Sequence, residues 1–533
     1  TRAAAASHAQ PRAAARRRAA ARPNPKPKPA TRLDPGAPGA PRVSVERADP
    51  ETALPAFSSE LCAAQSRRFL LIAAILASAL GFIDGTVVAI ALPAMRESLG
   101  AGLGAAQWYA NAYMLTLSAL ILVGGALGDR FGVARVFGFG IGLFLVASLV
   151  CGLAPTSAIL IGARAVQGVG AALMVPGSLA LIARAYPQAE RGRAIGIWAS
   201  ASAVTTAAGP LVGGAVLELG PEAWRAIFLV NLPLGGVALW LLFAHVERDP
   251  AEEPGAPVDW TGAGLATAGL GLVALALTAA EHGGAVDRQG PWLGLTGVAV
   301  LGLFLWVETR RTAPMLPLSI FAAPGFSAAN LVTLTLYFAL STILFFLPMT
   351  LIAGWGLAPL AAALVFLPLT ALIGGFSPIV GRLADRHGPG RFIAGGSALA
   401  GCGYLLMGAA APAQAFWTGI LPGAVLVGAG MALVVAPLST VVMGAAGPAR
   451  AGVASGVNNA VSRVAGLIAV AAMGPVAAHA YRAVEGPASF GEAGVAGSAH
   501  AGAMSAAFAT LALTASILAF LSAGIAWIGL RRR

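Results

Sequence analysis

The chain has 533 residues, of which 57% are hydrophobic and 11% charged, with a mean hydropathy of +0.79 and a formal net charge of +12. A soluble domain carries about 25% charged residues, so this composition excludes one. Three scattered thiols, Cys62, Cys151 and Cys402, form no CxxC and no metal-ligand spacing, so neither zinc nor redox chemistry is expected.

Residues 1–68 read as a disordered, basic, Ala/Pro/Arg-rich tail with "PRAAARRRAAARPNPKPKPA" as its core, too poor in large apolar residues to fold alone. Its arginines suit attraction to anionic inner-leaflet lipid. The alternative, an organelle transit peptide, shares the same acid-poor, Arg-rich start; a secretory signal is not expected because the apolar run is absent.

A bilayer core of about 30 Å needs roughly 20 apolar residues per helix. Fourteen runs qualify, near 69–92, 105–126, 136–154, 158–183, 193–217, 225–245, 261–280, 293–309, 326–353, 359–381, 391–411, 417–444, 453–478 and 506–529. Placing the N-terminus in the cytoplasm leaves only Arg96, Arg225, Arg288 and Arg482 outside, against 13 basic residues in the tail and 15 more on the tail's side. Positive charge gathers on the cytoplasmic side of membrane proteins, so both termini are expected there. The charge is therefore a topology signal rather than a sign of nucleic-acid binding.

The first span contains "GFIDGTVVAIALP" at 81–93, with one acid, Asp84. At 1.5 Å per residue Asp84 lies about 22 Å along span 1, and Arg164 lies about 9 Å below the outer end of span 4, so the two sit at matching depth. An intramembrane charge is costly and marks a functional hypothesis with a partner. Removing a carboxyl from water favours its protonated form whereas a nearby guanidinium favours its anion, so joining or separating the pair can load or release a proton. The alternative is a static ion pair that pins two helices.

"GALGDRFG" at 125–132 recurs as "GRLADRHG" at 381–388: Gly125, Asp129, Arg130 and Gly132 answer to Gly381, Asp385, Arg386 and Gly388. The copies end spans 2 and 10, so two six-helix bundles are expected, 69–245 and 326–533, with two extra central helices within 246–325. The glycines allow tight turns, and the Asp-Arg pairs suggest charge contacts across a cytoplasmic gate. In "GPLVGG", Gly209, Pro210, Gly213 and Gly214 combine a proline kink with small residues that permit close helix contact.

Four stretches carry a family resemblance: "GALGDRFGVAR", "RAVQGVGAA" at 164–172, "GPLVGG" at 209–214 and "FIDGTVVAIALP" at 82–93. Together they resemble the major facilitator superfamily, in its fourteen-helix drug:proton antiporter branch, over about Phe69 to Arg533. The match departs from the pattern at Val133 and Ala134, where a basic pair is usual and only Arg135 remains, at Thr205 for a leading Gly, and at Ala89 for Asn. The resemblance implies proton coupling for Asp84 and Arg164, a gate at the repeated loops, and a hinge and leak-proof seal at "GPLVGG".

On span 13, Ser455, Asn459 and Arg463 recur at i, i+4 and i+8 as one polar stripe, expected to face a central cavity unless Arg463 snorkels to the cytoplasm. Trp108, Asn111, Tyr113, Gln167, Trp198 and Tyr337 are candidates to line a pocket for apolar, often cationic compounds. No GxxxxGK[ST] loop, metal site or nucleophilic triad is visible, so neither ATP, a cofactor nor enzymatic chemistry is expected. The reading is an all-helical membrane protein, active as a monomer, that exports apolar or amphipathic small molecules on the proton gradient. The alternatives are an importer or uniporter on the same fold, or a non-transporting sensor. Arg outnumbers Lys 32 to 2, which fits a GC-rich bacterial genome.

Overall fold

A computed structural model describes residues 63–246, 258–279, 285–312, 314–446, 451–495 and 497–530, so the expected tail lies outside the described residues as far as residue 62. Within them the fold is all-helical, without strands. Fourteen helices are long and apolar enough to cross a membrane: α1 Arg67–Leu99, α2 Leu103–Phe131, α3 Val133–Gly152, α4 Ser157–Ala185, α5 Glu190–Leu217, α6 Pro221–His245, α7 Trp260–Ala279, α8 Gln289–Arg310, α9 Phe326–Gly354, α10 Pro359–His387, α11 Pro389–Ala413, α12 Phe416–Ala446, α13 Val453–Ala483 and α14 Ser498–Gly529. A helix satisfies its backbone internally, which hydrocarbon demands.

The helices overrun the apolar runs that announce them. α1 continues to Leu99, where Gly100 turns left-handed at φ +59°, and α14 begins at Ser498 rather than near 506. The loop expected over 281–292 is helical from Ala285, which also puts Arg288 on a helix. Backbone hydrogen bonding continues past the hydrocarbon boundary, whereas hydropathy marks only the immersed part.

Helices with the same rank in each half pack alike. In the first half α2 and α3 lie on α4, α1 on α5 and α6, and α3 on α6; in the second, α10 and α11 lie on α12, α9 on α13 and α14, and α11 on α14. Each helix thus corresponds to the one eight places later. Across the halves α2 meets α13, and α5 meets α10. Three pairs of helix prolines follow the same rule: Pro93 and Pro348 interrupt α1 and α9, Pro176 and Pro437 interrupt α4 and α12, and Pro210 and Pro475 interrupt α5 and α13. The dipeptide Gly-Pro at 209–210 even recurs at 474–475. Close glycine contacts repeat too. A Cβ on Gly170 would stand 2.9 Å from the Gly140 carbonyl between α4 and α3, and one on Gly430 2.5 Å from the Gly396 carbonyl between α12 and α11.

α7 and α8 pack on each other, and α7 touches both α2 and α13. Asp259 caps α7 by accepting a bond from the Gly262 N–H at 2.7 Å. Glu308, buried near the end of α8, accepts one from the Leu316 N–H at 2.6 Å and so ties the connector to α9. These two inserted helices carry an anchor that the sequence reading did not single out.

Candidate functional site

α1 and α4 cross so that the Asp84 carboxylate accepts a bond from the Arg164 guanidinium at 2.5 Å, with both side chains almost fully buried, at 1% and 2% exposure. Arg164 Nε donates to the Tyr109 carbonyl at 2.8 Å, and its Nη1 also donates to Gln167 Oε1 at 2.6 Å. The Gln167 amide donates to Asp84 Oδ1 at 3.1 Å and to Ser148 on α3 at 2.9 Å, and Asn231 on α6 donates to the same hydroxyl at 3.3 Å. Five helices of the first half, α1, α2, α3, α4 and α6, therefore close one buried polar network. An ion pair out of water holds only when its remaining donors and acceptors are also met, and here Gln167 and the Tyr109 carbonyl meet them.

The Arg164 guanidinium also lies 4.4 Å above the Tyr113 ring. Tyr113 also borders a cavity of about 680 Å³. Tyr113, Trp198, Asn459 and Arg463 are on its wall, as are Gly125 and Asp129, and the whole span 13 stripe faces it. Arg463 therefore lines the cavity rather than snorkelling away. Trp198 is held by a 2.9 Å bond from its indole N–H to Ser78.

Four residues expected in the pocket stand elsewhere, among them Trp108, whose indole N–H donates to Thr278 of α7 at 3.0 Å. Gln167 belongs to the Asp84 network, because position i+3 from Arg164 puts it on the same helix face. Asn111 is fully buried and does not border the cavity; it lies one turn beyond Gln107, whose amide bonds the Val470 carbonyl on α13. Tyr337 packs into the apolar core of the second half. Ser148 and Asn231, which complete the network, escaped the sequence reading; a lone Ser or Asn in an apolar span is too common to single out.

The repeated loops match in backbone. Gly132 and Gly388 take φ +95° and +90°, ψ 126° and 129°, a conformation only glycine adopts readily. Asp129 pairs with Arg184 of α4, in its own half, at 3.1 Å, and Arg130 lies 5.3 Å over the neighbouring Phe131 ring. Arg135, Asp385 and Arg386 are exposed and, among the described residues, enter no ion pair. Gly381 lies 3.3 Å, measured from a Cβ placed on it, from the Ala436 methyl. The cavity reaches the face where α1 begins and α14 ends, through Asp129 at the end of α2 and Val453 at the start of α13.

The opposite face is shut. Arg96 at the end of α1 donates to the Phe490 carbonyl at 2.5 Å. On α5 a Cβ on Gly214 would stand 2.8 Å from the Leu360 Cα of α10, while Gly209 and Gly213 press on Thr86 and Val87 of α1. Pro210 lies among them, buried within α5.

A two-fold helical repeat around a cavity open to one face, with a buried ion pair behind its wall, defines a membrane transporter of the alternating-access type. The chain belongs to the Major Facilitator Superfamily, whose model matches residues 74–470. It is 33% identical to the multidrug resistance protein Stp of Mycobacterium tuberculosis, over 74% of this chain and 73% of that one. It is 34% identical to the methylenomycin A resistance protein of Streptomyces coelicolor, over 75% and 85%. Among solved structures, a bacterial homologue of the human lysosomal transporter Spinster superposes with a TM-score of 0.63 at 18% identity, over 88% of this chain and 99% of that one, a likeness of fold. The chain is thus a multi-pass membrane protein of a transporter superfamily, with bacterial relatives.

Proposed function

We propose that this protein exports apolar or amphipathic small molecules across the cytoplasmic membrane in exchange for protons, as a monomer with both termini in the cytoplasm. The named relatives, drug and antibiotic resistance proteins, support the export direction. One observation carries the coupling: Tyr113, whose ring the Arg164 guanidinium covers at 4.4 Å, also lines the cavity. A proton added to Asp84 cancels the charge that balances Arg164, so the network that ties α1 to α4 must rearrange. In the form with the cavity open to the cytoplasm, the anionic carboxylate holds the guanidinium and the substrate enters. After the switch outward, Asp84 takes a proton and the substrate leaves. In that outward form the gate loops at Gly125–Gly132 and Gly381–Gly388 are closed beneath, and Gly209–Gly214 has parted from α10.

Uptake of amphipathic fluorescent dyes, anionic, neutral and cationic, into everted vesicles under an imposed pH gradient tests this reading. Wild type accumulates at least one class uphill, and Asp84→Asn accumulates none although it reaches the membrane. Equal uphill uptake by Asp84→Asn would remove the acid from the coupling.

A further inference from the structure

Arg463 is a positive charge on the cavity wall, and no acid among the described residues pairs with it. It stands ten residues into α13 from Val453, about 15 Å from that end at 1.5 Å per residue, half-buried among cavity-lining groups. Among the described residues it makes neither an ion pair nor a hydrogen bond. The acids that share the cavity wall are committed elsewhere: Asp129 to Arg184 at 3.1 Å, and Asp259 to the Gly262 N–H with Arg311 at 3.8 Å. Asp84 is held by Arg164. The Tyr113 phenol shares the cavity wall with Arg463.

An unpaired guanidinium deep between membrane helices is costly, and such residues mark substrate pathways. Its planar fork matches a carboxylate or another oxyanion in two parallel bonds. Around it the wall is apolar and aromatic, with Phe82, Leu117, Ile121 and Trp198, and Asn459 one turn away adds an amide. We infer that Arg463 is the anion-binding residue of the substrate site, and that the exported compound carries an acidic group on an apolar body. This deepens the export reading, on which it rests, and reverses the cationic preference suggested by the sequence.

Three probes with one apolar body isolate the charge: 1-pyrenebutanoate, 1-pyrenebutanol and 1-pyrenebutylammonium. Saturable binding to the purified protein in lipid nanodiscs is read by energy transfer from tryptophan, with protein-free discs subtracted and no pH gradient present. Wild type should bind the butanoate about tenfold or more tighter than the butanol, the scale of a charge-assisted bond, and the ammonium weakest. Arg463→Gln should lose that preference while keeping the butanol affinity, and Arg463→Lys should keep part of it. Equal butanoate and butanol binding by wild type, tighter binding of the ammonium, or an unchanged preference in Arg463→Gln overturns the inference. If Arg463→Gln loses all three probes through misfolding, Arg463→Lys decides: a retained preference supports the anion site, and a lost one with intact butanol binding refutes it. Because no gradient is used, failure here leaves proton-driven export standing, and failure of export leaves this result standing.

Discussion

Asp84 and Arg164 are each expensive alone and tolerable together. Removing one partner of a buried pair leaves a bare charge away from water, at a cost of about 3–5 kcal/mol. Arg164→Ala and Asp84→Asn should therefore each lower thermal stability by that order, whereas the double variant should lose less than the sum of the two, because residues acting as one unit are not additive. Thermal unfolding of the four proteins in one detergent checks this. Strictly additive losses would mean that the two charges do not depend on each other. Arg164→Lys should rescue only in part: a point charge cannot donate at once to Asp84, Gln167 and the Tyr109 carbonyl as the fork does. The contact between Asp84 and Arg164 was legible in the sequence, since helix rise places both at one depth. Its setting was not. Gln167 reads as a pocket amide until the face it shares with Arg164 is considered, and nothing in the chain points to the Ser148 hydroxyl that joins α3 and α6 to it.

Hydropathy marks every membrane-spanning helix because the hydrocarbon core filters each segment separately. Helix ends escape it, as α8 and α14 show, because backbone bonds ignore the hydrocarbon boundary. Close packing escapes it as well. Gly124 and Gly125 are neighbours at the start of one motif, yet a Cβ on Gly124, just before it, would run into the Ala172 carbonyl of α4 while one on Gly125 meets nothing within 4 Å. Gly124→Ala should thus cost about 1–3 kcal/mol, the range for overpacking, and Gly125→Ala should leave thermal stability unchanged. Unfolding of the two variants side by side checks it, and equal losses would contradict the packing of α2 on α4. The repeat of Pro93, Pro176 and Pro210 by Pro348, Pro437 and Pro475 was present in the sequence, but it shows as a repeat only once helices are paired eight apart.

For the molecule as a whole, orientation follows from charge, and the closed face must be the outer one if the cavity loads from the cytoplasm. Leu219, 82% exposed in the turn between α5 and α6 on the shut face, offers a handle. With the native cysteines replaced, Leu219→Cys should react with an impermeant thiol reagent only from outside; labelling only from the cytoplasm would invert the topology.

Export in exchange for protons requires that protons cross in the opposite direction to the substrate through Asp84. In proteoliposomes holding a pH-sensitive dye and no imposed pH gradient, an inward gradient of a compound that wild type transports should drive protons out of the lumen in fixed proportion to uptake. Asp84→Asn should bind the compound and move no protons. Substrate-driven proton movement of equal size in Asp84→Asn, or uptake by wild type with no proton movement, would contradict it.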